Sequence, residues 1–238
     1  MGEGARGANG EVAGSKALYR LMTWLSPSYP VGAFSYSGGL EWAVEAGDIR
    51  DALTLAHWLE SVIRDGSGFC DSVLFVHAHR AATTGDDSAL FTVAELAAAF
   101  TSSRERFLET TAQGRAFFEA TCAAWPCAAL QRLAAAWKGP LAYPVAVGVA
   151  SAGHGIAVEP AVAAYLQAVA ANLVSAGMRL VPLGQTDGQR VIARIEPVIA
   201  AAAGRALACT LDEIGGAALR ADIASMRHET QYTRLFRS

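Results

Sequence analysis

Charge is scarce in this chain of 238 residues, and lysine is scarcer still. Charged side chains make up 17% of the sequence, against about a quarter in ordinary soluble domains, and Lys16 and Lys138 are the only lysines. With a formal net charge of −3, there is no basic field to attract nucleic acid or an anionic membrane. Cysteine is sparse too. Cys70, Cys122, Cys127 and Cys209 fall in no metal-finger spacing, because the Cys122–Cys127 pair has no second pair to complete a site. Reduced, buried thiols in a cytoplasmic protein are the expectation. The opening MGEGARGANGEVAGSK lacks the apolar core of an export signal, and residues 1–15 read as a mobile tail.

The motifs of common chemistry are missing as well. A phosphate-cradling loop needs Gly-Lys-Ser/Thr at a helix start. Lys16 follows Gly14-Ser15 without a Ser or Thr after it, and Lys138 precedes Gly139-Pro140. The serine-rich FSYSGG (34–39) lacks the glycine two residues before either serine that a nucleophile elbow requires. His77 and His79 look suggestive of metal, but helix residues two apart point about 200° away from each other. His57, Cys70, His154 and His228 have no ligand partners nearby in sequence. No catalytic residue, metal set or cofactor is therefore assigned from the residues. Two readings of another class stay open: a metal-ion carrier using His77, His79 and Cys70, and an all-α enzyme that gathers Glu41, His154 and His228 by tertiary folding.

What the sequence does have is helical periodicity. Apolar residues reach 53%, much of it alanine. Proline ends a first short helix, 18–25, at Pro27 and Pro30. Asp48 is the expected cap of a helix bearing Leu53, Ala56, Leu59 and Ile63 on one face. Further helices are expected at 69–82, after Asp86 or Asp87, at 104–125, 127–137, 144–153, 161–178 and 189–203, with one or two more between 205 and 226. The segment 161–178 carries no charge but holds Gln167, Asn172 and Ser175, which suits a central helix better than a membrane span. No sustained period-two alternation predicts a sheet. The expectation is a single all-α domain of roughly ten helices over residues 16–226, followed by a C-terminal tail, 227–238.

Three segments hold more polar and aromatic chemistry than their local structure needs. LSPSYPVGAFSYSGGLEWAVEAG (25–47) crowds Pro27, Pro30, Gly38 and Gly39 among Tyr29, Phe34, Tyr36 and Trp42. Its Glu41 and Glu45 lie one helical turn apart and form a candidate acidic face. RLVPLGQTDGQR (179–190) presents Arg179, Gln185, Asp187, Gln189 and Arg190 around a helix–helix turn. HETQYTRLFRS (228–238) sets Tyr232, Leu235 and Phe236 between Arg234 and Arg237, the composition of an interface anchor. A tail folded back on its own core is the competing arrangement.

With GRAFF at 114–118, these three motifs stand in the order found in the UreF family of urease accessory proteins, which the chain resembles from about Leu18 to its end. The resemblance implies an all-helical, non-catalytic adaptor without a cofactor. It would bind UreD (also called UreH), recruit and regulate the GTPase UreG, and dock on apo-urease for GTP-dependent nickel insertion, commonly as a homodimer. The residues it marks for contact with UreD/UreH, UreG or a second copy are Tyr36, Gly38, Gly39, Glu41, Arg179, Gln185, Asp187, Gln189, Tyr232, Arg234, Leu235, Phe236 and Arg237. Arg179 and Arg190 are candidates for an arginine offered to the GTPase. The first 15 residues inherit nothing from this resemblance.

Overall fold

The computed structural model describes residues 4–237, with side chains from residue 14 onward. Its described residues form eleven α-helices and two short 3-10 turns, with no strand. The all-α expectation therefore holds. Helix α1 spans Gly4–Trp24, so most of the segment expected as a tail is helical; residues 1–3 lie outside the described part. Pro27 and Pro30 follow α1 directly, and the chain then turns through Ala33–Ser35 into α2, Leu40–Glu45.

Helix starts follow local chemistry. In α3, Ala52–Asp65, the cap is Asp51, not Asp48: its carboxylate accepts the Thr54 amide at 2.8 Å while Thr54 Oγ1 accepts the Asp51 amide. Asp48 instead holds the guanidinium of Arg220, a partner far away in sequence, at 2.8 and 2.9 Å. Asp86 caps α5, Asp87–Ala99, and Ser103 caps α6, Arg104–Ala124. Between them lies α4, Ser67–Thr84. Then come α7, Ala128–Ala136, and α8, Tyr143–Gly153, which carries proline in its first turn, where a missing amide costs nothing.

Helix α8 is the hub: Tyr143 through Ser151 are all buried, and it packs against α4, α6, α7 and α9, Val158–Leu180. Its contact with α4 is close, because a Cβ on Gly148 would sit 2.6 Å from the Phe75 carbonyl oxygen. By length and composition α9 is apolar enough to cross a membrane, but half of its most apolar window is buried in the helical body. Helix α10, Gln185–Ala208, packs on α3 and α9 and starts four residues earlier than expected. Gly184 caps it, and the Asp187 carboxylate accepts the Gly184 amide at 3.3 Å. The last helix, α11, Leu219–His228, lies on α2 and α6 and delivers the tail.

Candidate functional site

The three motif-bearing segments meet where α2, α9, α11 and the tail come together. Gly38 and Gly39 take positive φ values of 59° and 82°, a region that an L side chain rarely occupies. The space at Gly39 is as restrictive as its backbone, since a Cβ there would stand 2.7 Å from the Ser225 amide nitrogen on α11. This close approach seats α11 on the start of α2. A hydroxyl pair reinforces it from α6, with Ser103 Oγ and Ser225 Oγ 2.6 Å apart.

At the first turn of α2 stands Glu41, only 8% exposed. Its carboxylate accepts the backbone amides of Leu235 at 2.6 Å and Phe236 at 2.9 Å. The ring of His228, at 0% exposure, lies between two acids: Nε2 is 3.1 Å from Glu41 and Nδ1 is 2.7 Å from Glu105 on α6. Arg234 closes the chain by donating to the other oxygen of Glu105 at 2.9 Å. Burial opposes ionisation of Glu41, but the two tail amides and the His228 ring outweigh it and hold the carboxyl below its ordinary value. Glu41 is thus turned onto this chain's own tail. Of the expected acidic face only Glu45 is exposed, accepting Gln231 Nε2 at 2.7 Å.

Arg179, near the end of α9, joins two of the segments. Its guanidinium donates to the Phe34 carbonyl at 2.9 Å and lies 4.3 Å from the centre of the Phe236 ring, which is 4% exposed. The Arg237 amide donates to the Ser35 carbonyl at 2.8 Å, and Asn172 reaches the carbonyl of buried Tyr36 at 3.5 Å. The tail therefore folds back on the body and anchors there through Phe236. Tyr232, at 101%, and Leu235, at 65%, point outward, and Arg234 and Arg237 line the exposed edge. Gln185 and Gln189 are exposed on the first turn of α10, and Asp187 is held by Arg190 at 2.9 Å. No hydrogen bond joins Gln185, Asp187 or Gln189 to the tail among the described residues.

A cavity of about 360 Å³ runs inward from the opening motif, with Leu25, Val31, Phe34 and Gly38 along one side and Asp71 and Arg106 along another. There Arg106 pairs with Asp71 and, at 3.4 Å, with Glu109, and the Tyr165 hydroxyl donates to Asp71 at 3.0 Å. Burial pushes the Glu109 carboxyl above its ordinary value against the pull of Arg106. Each acid is spent on a structural partner.

The other chemistry-bearing residues do not converge. His77 Nε2 meets the Cys209 carbonyl at 2.9 Å and His79 Nε2 the Ile156 carbonyl at 2.8 Å, so the two rings serve different segments. The buried Cys70 thiol is pushed up to about 12 by burial and by Asp71, against the thiolate form in which cysteine binds metal. No group of three or more His, Cys, Asp or Glu side chains is placed to hold a metal ion among the described residues. Glu41 and His228 do meet, as an enzyme site there would need, yet both ring nitrogens are engaged and the ring is closed to solvent. His154 is elsewhere, tilted against Trp24 with centroids 5.2 Å apart.

Sequence reading missed Glu105, and it missed a stripe on α11 formed by Leu219, Ile223 and Met226, all exposed. Their i, i+4, i+7 spacing is a visible signal. The pairing of His228 with acids 123 and 187 residues away is not.

The family model UreF matches residues 49–196. Among similar proteins, the urease accessory protein UreF of Bradyrhizobium diazoefficiens is 60% identical over 222 residues, covering 93% of this chain and 92% of the relative. The protein of the same description from Rhodopseudomonas palustris strain BisB18 is 60% identical over 226 residues, 95% of this chain and 94% of its own. That of strain BisA53 is 61% identical over 222 residues, 93% of each.

Proposed function

Because this chain belongs to the UreF family of urease accessory proteins, we propose that it acts in urease maturation as a helical adaptor without chemistry of its own. In this reading it binds UreD (also called UreH), and the pair recruits the GTPase UreG. The assembly docks on apo-urease in the cytoplasm so that nickel enters in a GTP-dependent step, with the adaptor present as a homodimer.

One observation carries the reading. Leu219, Ile223 and Met226 form an exposed apolar stripe on α11 that leads directly into a tail whose Tyr232 and Leu235 also face outward. Apolar and aromatic side chains rimmed by Arg234 and Arg237 are the make-up of a protein contact. The surface stands on a fixed seat, since Phe236, Glu41 and His228 hold the tail beneath it, and ordering the tail beforehand lowers the entropic cost of binding. Regulation of UreG falls to surface positioning of its switch loops. The Arg179 guanidinium is already spent on Phe34 and Phe236, which disfavours it as an arginine finger.

The test is complex formation between this chain and UreD, followed by sedimentation. Replacing Ile223 and Leu235 together by Ser leaves the helical signal and melting temperature near wild type, because both side chains are exposed. It weakens the complex by at least tenfold, the effect of about 1.4 kcal/mol. Unchanged affinity rejects this surface as the UreD contact.

A further inference from the structure

The fold encloses an ion cluster that the tail contacts directly. His228 closes α11, the turn at Glu229 and Thr230 follows, and the tail then returns to reach Glu41. Both ring nitrogens face carboxylate oxygens, Glu105 at 2.7 Å and Glu41 at 3.1 Å. A carboxylate only accepts, so this arrangement is satisfied by an imidazolium bearing a proton on each nitrogen. A neutral ring has one N–H and would set a lone pair against a buried acid.

The surrounding charges leave no substitute donor. Glu41 comes from α2 and Glu105 from α6, while Arg234 of the tail binds the far oxygen of Glu105. Arg106, next along α6, is committed to Asp71 and Glu109. On α11 itself, Glu229 accepts the Arg104 amide, and Arg227 is exposed. Glu41 is also the acceptor for the Leu235 and Phe236 amides, so the proton on His228 and the seating of the tail meet on one carboxylate. The turn beside it is imperfectly satisfied: Gln231 Oε1 is buried without a hydrogen-bond partner.

We propose that His228 is a proton-held clasp, and that the C-terminal strap, residues 232–237, is seated on α2 only while that ring carries both protons. Seating takes up a proton relative to the opened tail, in which the ring is in water. By linkage the seated fraction falls as pH rises. Opening exposes Phe236 and frees Leu235, so the surface offered to a partner depends on proton activity. The clasp is a property of this chain alone, and its measurement needs no partner; failure of the clasp leaves the UreD contact untouched, and the reverse.

The experiment is amide exchange of the full-length chain between pH 6 and 9, corrected for intrinsic exchange, read at Leu235 and Phe236. Protection at these amides falls with rising pH, approaching tenfold per unit for one linked proton, while Val147 in α8 stays constant. His228→Gln gives lower protection with no such slope. Histidine ¹⁵N spectra of the wild type, which need no variant, show both nitrogens of one ring protonated at neutral pH. Flat protection in the wild type, a wild-type slope in His228→Gln, or a neutral ring at His228 at neutral pH each overturns the proposal.

Discussion

At Glu41 one buried carboxylate takes two backbone amides and faces an imidazole, so removing its charge reaches the whole tail. Glu41→Gln keeps the shape but replaces an ionised acceptor with a neutral amide whose NH₂ faces donors. A cost of about 1.5–3 kcal/mol is expected from hydrogen bonds to charged groups, read as a lower midpoint in urea unfolding. The pH dependence has a definite sign. The folded carboxyl lies below its ordinary value of 4.5, so its contribution is fully present above that value and disappears as pH falls through the lowered one. Leu235 and Phe236 amides therefore lose protection in acid before the α8 amides do. Phe236→Ala removes the tail's apolar anchor, worth about 1.5–3 kcal/mol of burial, together with its contact to Arg179. Increased proteolysis after Arg234 and an undisturbed α8 report that loss.

Among the elements, α11 shows where sequence reading succeeds and where it stops. Periodicity located most of the long helices, and local capping chemistry located the start of α5, because Asp86 acts on the amide three residues away. The exception is instructive. Asp48 has the type of a cap, but Arg220 holds it across the fold, and Asp51 takes the cap with Thr54. The opening motif was legible as a shaped contact segment; the identity of what it contacts was not. Gly39 was recognisable as a position allowing close approach, yet only folding places Ser225 against it. Likewise Glu41 and His228 were visible as isolated groups, and nothing local in sequence joins them. Gly39→Ala tests the approach: positive φ and a 2.7 Å contact together cost about 1–3 kcal/mol, with faster exchange confined first to α11 and the tail. Unaltered exchange there would show that α11 does not rely on this contact.

Across the whole molecule, the buried helices α4, α8 and α9 form a frame, and the candidate site lies at one margin of it. The frame uses its histidines and cysteines on its own carbonyls and core, while the margin uses a charged cluster to place an apolar surface. That division suits a protein whose work is to bring other proteins together. The most direct measurement is activation of apo-urease reconstituted with nickel, GTP, UreD and UreG. Full-length chain is compared with no chain and with the Ile223→Ser/Leu235→Ser variant, which preserves the buried seat. The adaptor account predicts activation with the full chain, background without it, and a loss of at least tenfold at limiting concentration with the variant. Equal activation in all three contradicts it.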